Sequence, residues 1–289
     1  MNTAYFNGKY LPKEEIKINP DDRGFLFADG VYEVVRWYKG FFYDMNSHIT
    51  RLKRSLKELR IIWPNADIFQ SVAFDLIKQN KLEESDAMVY LQVTRGVAKR
   101  NHSFPSSETT PTVYSYSWGF APDLLSKEHG IKVMLKEDIR WSRCDIKSIA
   151  LLPNTLSFQE ANENGLKECI FVRNGLITEG SHSNIFFVSD GTVYTHPESN
   201  YILSGITRKN ILRIASESGI KIREEAMQEN RIRSCSEAFI ANTSAEVTPV
   251  LEIGGITLGK GVPGPVTKLI REKFDAEIET RAGLKSDIR

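Results

Sequence analysis

Lys147, in the run Arg143-Cys144-Asp145-Ile146-Lys147-Ser148, is the first residue whose type suits covalent chemistry. A lysine amine captures an aldehyde as a Schiff base once its pKa falls well below about 10.4, the value for a free side chain. Composition does not set it apart from the other lysines, so a solvated surface amine is the competing reading. Thr178-Glu179-Gly180 ends an apolar strand entered through Asn174-Gly175. A carboxylate there could pair with a protonated ring nitrogen and keep the ring an electron sink, or it could be a plain turn carboxylate. Leu203-Ser204-Gly205-Ile206-Thr207 stands just before a helix. Free N–H groups at a helix start plus a hydroxyl make an anion site, and Gly205 lets the backbone approach closely. Thr207 serves equally well as a simple N-cap. Asn242-Thr243-Ser244 follows the strand Ala238–Ala241 and adds donors, and Arg51 could bring a countercharge or be a solvated helix-face arginine.

A second basic feature is Arg100-Asn101-His102, with Lys99 before it. Residues two apart in an extended loop point to one side. An arginine and a histidine so placed suit a carboxylate, although a basic surface loop has the same composition. Of the other histidines, His48 falls in the first turn of its helix, His129 in a polar linker segment, and His182 and His196 beside turns. No His/Cys/Asp/Glu set has metal-ligand spacing, so no metal is expected. There is no Gly-x-Ser-x-Gly elbow and no Gly-rich dinucleotide fingerprint.

These residues need elements to hold them. Asn7-Gly8 between Tyr5-Phe6 and Tyr10-Leu11 predicts a hairpin. A second pair is expected from Val31 to Trp37 and Phe41 to Tyr43, turning at Lys39-Gly40. Ser47 is the expected cap of a helix with Ile49, Leu52, Leu56 and Leu59 at helical spacing, ended by Pro64. Phe69, Val72, Leu76 and Ile77 predict another helix, and strands follow at Met88–Thr94 and Thr112–Trp118. Gly119-Phe120-Ala121-Pro122 reads as a linker. Beyond it come strands at Ile131–Leu135, Cys169–Val172 and Ile185–Val188, and helices at Ile206–Glu217 and Val266–Ile278. Strands and helices do not alternate regularly, which favours an α+β fold with antiparallel sheets. The expected domains are 1–118 and 123–289, joined by the 119–122 linker.

The 289 residues carry 38 Lys+Arg against 37 Asp+Glu, a net charge of +1 that argues against a broad nucleic-acid surface. Apolar residues at 41% and charged residues at 26% describe a soluble globular chain with ample core material. Cys144, Cys169 and Cys235 are too scattered for a disulfide framework. No run approaches the ~20 apolar residues of a membrane span. The first residues lack a secretory pattern, so a cytoplasmic protein is expected.

Taken in order, the motifs resemble those of the fold-type IV pyridoxal-phosphate (PLP) enzymes. The matching runs are Asp22-Arg23-Gly24-Phe25 continuing to Asp29-Gly30-Val31-Tyr32-Glu33; His48-Ile49-Thr50-Arg51-Leu52; Asp145-Ile146-Lys147-Ser148; Thr178-Glu179-Gly180-Ser181; Gly205-Ile206-Thr207-Arg208; and Ser244-Ala245-Glu246-Val247-Thr248-Pro249. Arg100-Asn101-His102-Ser103-Phe104-Pro105 and the Trp141-to-Lys147 run look like the D-amino-acid aminotransferase branch. The resemblance implies a two-domain α+β architecture with PLP in the interdomain cleft, and transamination of D-alanine-like amino acids with a 2-oxo acid such as 2-oxoglutarate. It implies that Lys147 is the Schiff-base lysine and proton shuttle and that Glu179 holds the ring nitrogen. Arg51, Gly205, Ile206, Thr207, Asn242 and Thr243 would surround the phosphate, and Leu203 would support the ring. Tyr32, Arg100 and His102 would hold the substrate carboxylate, the latter two reaching the partner's site in a homodimer.

The sequence departs from the family pattern at Ala28, where Gly is usual, at His182, where a small hydroxyl residue is usual, and at Asn242, where some members have Ser. The alternatives of the same fold are a branched-chain L-amino-acid aminotransferase, an aminodeoxychorismate lyase and an (R)-amine transaminase. The alternative of another class is a non-catalytic PLP-binding protein.

Overall fold

Asn7 and Gly8, at φ 46° and 91°, close the first hairpin in the computed structural model, which describes residues 2–286. Its strands are β1 (Thr3–Phe6) and β2 (Lys9–Pro12). Helix α1 (Arg23–Phe27) is capped by Asp22, whose side chain accepts from Gly24 N. It stops at Ala28, in the left-handed region at φ 52°. Strand β3 (Gly30–Tyr38) follows, then α2 (Met45–Glu58), α3 (Phe69–Gln79), β4 (Asp86–Thr94) and β5 (Thr112–Gly119). The five strands form an antiparallel sheet in the order β2-β1-β5-β4-β3.

Period-2 alternation puts Val31, Val35 and Trp37 of β3 on the inner face, where they meet Ile49, Leu52 and Leu56 of α2 and Val72, Leu76 and Ile77 of α3 in one core. Each such side chain contributes roughly 1.5–3 kcal/mol by leaving water. Two expectations for this region are corrected. Helix α2 begins at Met45 after Asp44, which is left-handed at φ 49° and makes no side-chain cap, so Ser47 lies inside the helix. Phe41 to Tyr43 form no strand; the pairing is a single bridge, Trp37 to Phe42.

The second set of elements comprises α4 (Leu124–His129), β6 (Ile131–Glu137), α5 (Leu152–Glu163), β7 (Cys169–Arg173), β8 (Leu176–Gly180), β9 (Asn184–Ser189), β10 (Thr192–Thr195), α6 (Ile206–Glu217), β11 (Lys221–Glu224), β12 (Glu237–Asn242), β13 (Glu246–Ile253), β14 (Ile256–Thr257) and α7 (Pro265–Ser286). The sheet runs β11-β10-β9-β12-β13-β6-β7-β8, with β14 paired to β13. The β10/β11, β13/β6 and β6/β7 pairs are parallel and the others antiparallel, so the sheet is mixed rather than wholly antiparallel. Phe186 stacks on Phe239 at 4.7 Å across β9 and β12. Helix α5 has no sequence counterpart above: it buries only Ser157 and Ala161, four apart on one face, while Leu152 and Leu156 are exposed.

The chain divides into two compact units. Among the described residues, the first holds 2–121, Ile146–Ala150 and 281–286; the second holds Pro122–Asp145 and Leu151–Thr280. The segment that carries Lys147 therefore folds with the first unit, although it falls within the 123–289 range expected for the second. Among the described residues no helix is long and apolar enough to cross a membrane, and no group of His, Cys, Asp and Glu could hold a metal ion.

Candidate active site

Lys147 is half-buried because its segment pairs with β3: Val31 bridges to Ser148, and Tyr32 N donates to Lys147 O at 3.0 Å. Its own N–H donates to Ser55 Oγ of α2 at 3.3 Å. The backbone is thus fixed from both sides, and Nζ lies 4.3 Å from the centre of the Tyr32 ring.

Glu33, next to Tyr32, points to the inner face and is fully buried. Arg51 on α2 donates through Nε to Glu33 Oε1 and through Nη2 to Oε2, both at 2.8 Å, and His48 Nδ1 meets Oε2 at 2.8 Å. Burial alone would raise the Glu33 carboxyl, but Arg51 and His48 outweigh it and lower it to about 2. Burial lowers His48 as well, against the pull of Glu33. The structure therefore shows Arg51 as part of a buried charge cluster, with a forked grip on Glu33.

Arg100 and His102 gather around Phe27. The Arg100 guanidinium is 5.3 Å from that ring and the His102 ring 5.6 Å from it. Both are exposed in the single chain. Their loop is tied down by Arg23, whose Nη1 donates to Asn101 O at 2.7 Å while its Nε donates to Asp29.

In the second unit, β8 delivers Glu179 to a wholly buried position. Arg140 Nη1 donates to its Oε1 at 2.6 Å, and Asn184 Nδ2 and Leu203 N donate to its Oε2, each at 3.0 Å. Burial pushes the carboxyl up to about 7, against Arg140. Asn184 also donates to Leu203 O at 3.0 Å. A Cβ on Gly205 would fall 2.0 Å from Asn184 Oδ1, so glycine is required for this packing. Gly205 is the N-cap of α6 and supplies no side-chain cap, and Ile206 and Thr207 form the first turn. Asn242 is occupied locally. Its Oδ1 accepts from Ser244 N, Ser244 Oγ and Ala245 N, and its Nδ2 donates to His182 O at 3.3 Å. That ties the turn carrying Thr243 to the segment after Glu179. His182 Nδ1 is 3.1 Å from Oε2 of the buried Glu168, which also accepts from Ser181 and Ser183.

The sequence candidates thus fall into three groups: Lys147 with Tyr32, and near them Arg51; Arg100 with His102; and Glu179 with Leu203, Gly205, the start of α6 and the Asn242 turn. Sequence reasoning missed Glu33, Asp138, Arg140, Glu168 and Asn184. Glu33 had a signal, since a charge in register with Val31 and Val35 sits on a core face and needs a partner. Asp138 and Arg140 had only the alternating charges before Lys147.

The donor set fits a phosphorylated pyridine aldehyde. In the first unit Lys147 offers an amine for an aldehyde; in the second, Glu179 offers a buried acceptor for a ring N–H and α6 a start without a side-chain cap for a phosphate.

The family description amino-transferase class IV matches residues 30–253. A D-alanine aminotransferase of Staphylococcus haemolyticus is 38% identical over 283 residues, 98% of this chain and 100% of its own. One from Bacillus licheniformis is 38% identical over 275 residues, 94% of this chain and 96% of its own. The Escherichia coli branched-chain amino acid aminotransferase shares the fold with a TM-score of 0.87 at 28% identity, over 95% of this chain and 94% of its own. With the match spanning most of the chain and these relatives nearly all of it, the chain belongs to the class IV aminotransferases.

Proposed function

We propose that this aminotransferase uses PLP to transaminate D-amino acids of the D-alanine kind, with a 2-oxo acid such as 2-oxoglutarate as amino acceptor. The observation that carries the PLP assignment is the buried Glu179 carboxyl between Arg140, Asn184 and the Leu203 amide, a built acceptor for a protonated ring nitrogen. The D-preference is supported by the D-alanine aminotransferases that align over almost the whole chain, and by the Arg100/His102 pair.

When bound, PLP supplies an aldehyde that captures the substrate amine and a ring that draws electrons from Cα. Lys147 Nζ would hold the cofactor through its aldehyde, and the same amine would serve as the base for the substrate Cα proton. Glu179 would accept the hydrogen bond of the ring nitrogen and so favour its protonated form. The amides of Ile206 and Thr207, the Thr207 hydroxyl, Gly205 and the Thr243 turn would receive the phosphate, with Arg51 as countercharge. Leu203 would back the ring, and Asn242 shapes the Thr243 turn. Tyr32, with Arg100 and His102 of a second copy in a homodimer, receives the substrate carboxylate, which decides the face of Cα that meets Lys147. The protein works in the cytoplasm.

The test is a panel of D- and L-amino acids with 2-oxoglutarate. A yellow protein whose spectrum shifts with D-alanine and not L-alanine, and which forms glutamate, supports the reading. A response to L-leucine alone overturns it in favour of a branched-chain enzyme.

A further inference from the structure

Glu179 is the end of a row of buried charges of alternating sign. Arg140 Nη1 donates to Glu179 Oε1 at 2.6 Å. Arg140 is itself forked onto Asp138, Nε to Oδ1 and Nη2 to Oδ2, both at 2.9 Å. Asp138 also meets Arg173 at 3.2 Å, and Arg173 lies over the Tyr201 ring at 4.6 Å. The side chains of Asp138, Arg140 and Glu179 are 0%, 4% and 6% exposed. A buried ion pair of this kind costs desolvation without a net gain that stability alone would explain. A pair of Arg140 and Glu179 would neutralise itself without Asp138.

We propose that Asp138, acting through Arg140, is a positioning residue that sets the ionisation of Glu179 and so the strength of its hold on a ring nitrogen. Arg140 favours the carboxylate by direct contact. Asp138 draws off part of the Arg140 charge and opposes it. The two together set the Glu179 carboxyl between a bare buried carboxyl, which burial raises, and an unshared arginine pair, which the guanidinium lowers. Among the described residues, the charged and titratable groups facing this row are those four side chains, the Tyr201 phenol against Arg173, and Cys144 and Cys169, whose thiols burial pushes up to about 11 and about 12. Thr178 Oγ1, which donates to Asp138 Oδ2 at 3.1 Å, and Asn184, on Glu179, complete it without charge. The role for Glu179 rests on the proposed function; the charge row does not.

The experiment titrates the carbon-13 carboxyl resonance of Glu179 in the full chain freed of cofactor, assigned by its loss in E179Q. R140Q is expected to move the midpoint up by more than about one pH unit, and D138N to move it down, because they remove charges of opposite sign. R140K, which keeps the charge, is expected to return the midpoint toward the wild-type value. A purely structural role moves both variants the same way or neither, and either result overturns the proposal. If R140Q does not fold, the direction in D138N decides alone, since an upward move means Asp138 only clamps Arg140. Opposite shifts in a protein inactive on D-amino acids keep the charge row and reject the function. An active enzyme with no shifts does the reverse.

Discussion

Lys147 Nζ lies 4.3 Å from the centre of the Tyr32 ring, while the Tyr32 N–H holds the Lys147 carbonyl at 3.0 Å. Backbone and side chain of one residue therefore set the place of the other. Lys147→Ala is expected to remove the visible absorbance of bound PLP and nearly all turnover. Absorbance spectra and single-turnover assays check this, and a variant that keeps both would reject the assignment of the reactive lysine.

Arg100 is held near Phe27 on a loop fastened by Arg23. A hydrogen bond to a charged group is worth about 1.5–3 kcal/mol. Arg100→Ala is thus expected to raise KM for D-alanine roughly 10–100-fold, with a smaller effect on kcat. Steady-state kinetics decide it; unchanged D-alanine kinetics would remove the carboxylate role from Arg100.

Glu33 titrates at about 2 in the fold against 4.5 when unperturbed. A carboxyl depressed by folding adds stability that is present above pH 4.5 and is lost as pH falls toward 2, here about 3 kcal/mol. Urea unfolding from pH 6 to pH 3 is expected to cost the wild type about 2 kcal/mol more than Glu33→Gln. The Gln variant starts less stable, because Arg51 and His48 keep a buried partner without its charge.

Glu179 behaves in the opposite sense. Its carboxyl is raised to about 7, so its contribution is fully present below pH 4.5 and lost as pH rises through 7, on the order of 3 kcal/mol. Cofactor-free Glu179→Gln is expected to escape that loss between pH 4.5 and 8 while binding PLP more weakly. Calorimetry and a PLP binding titration read the two effects separately.

Ala28 ends α1 at φ 52°, a conformation that costs an L-residue roughly 1–2 kcal/mol. Ala28→Gly is expected to stabilise the protein by about 1 kcal/mol in urea unfolding without changing activity. No gain would mean that the added freedom of the unfolded glycine offsets the relieved strain.

Much was determined by the sequence alone. The Asn7-Gly8 turn, the β3, β4 and β5 strands and helices α3 and α6 follow local rules of turn chemistry and periodicity, and the family was readable because six short motifs kept their order. The start of α2 was not readable, because Asp44 caps it by backbone conformation rather than by a side chain, and α5 has no apolar stripe to announce it. Nor was the fate of single charges. Arg51 reads as a helix-face arginine until β3 brings Glu33 from eighteen residues away to grip it. Glu179 reads as a turn carboxylate until Arg140 and Asn184 close over it. Local elements depend on neighbours in sequence, whereas the ionisation of a buried group depends on partners and solvent exclusion that only tertiary packing supplies.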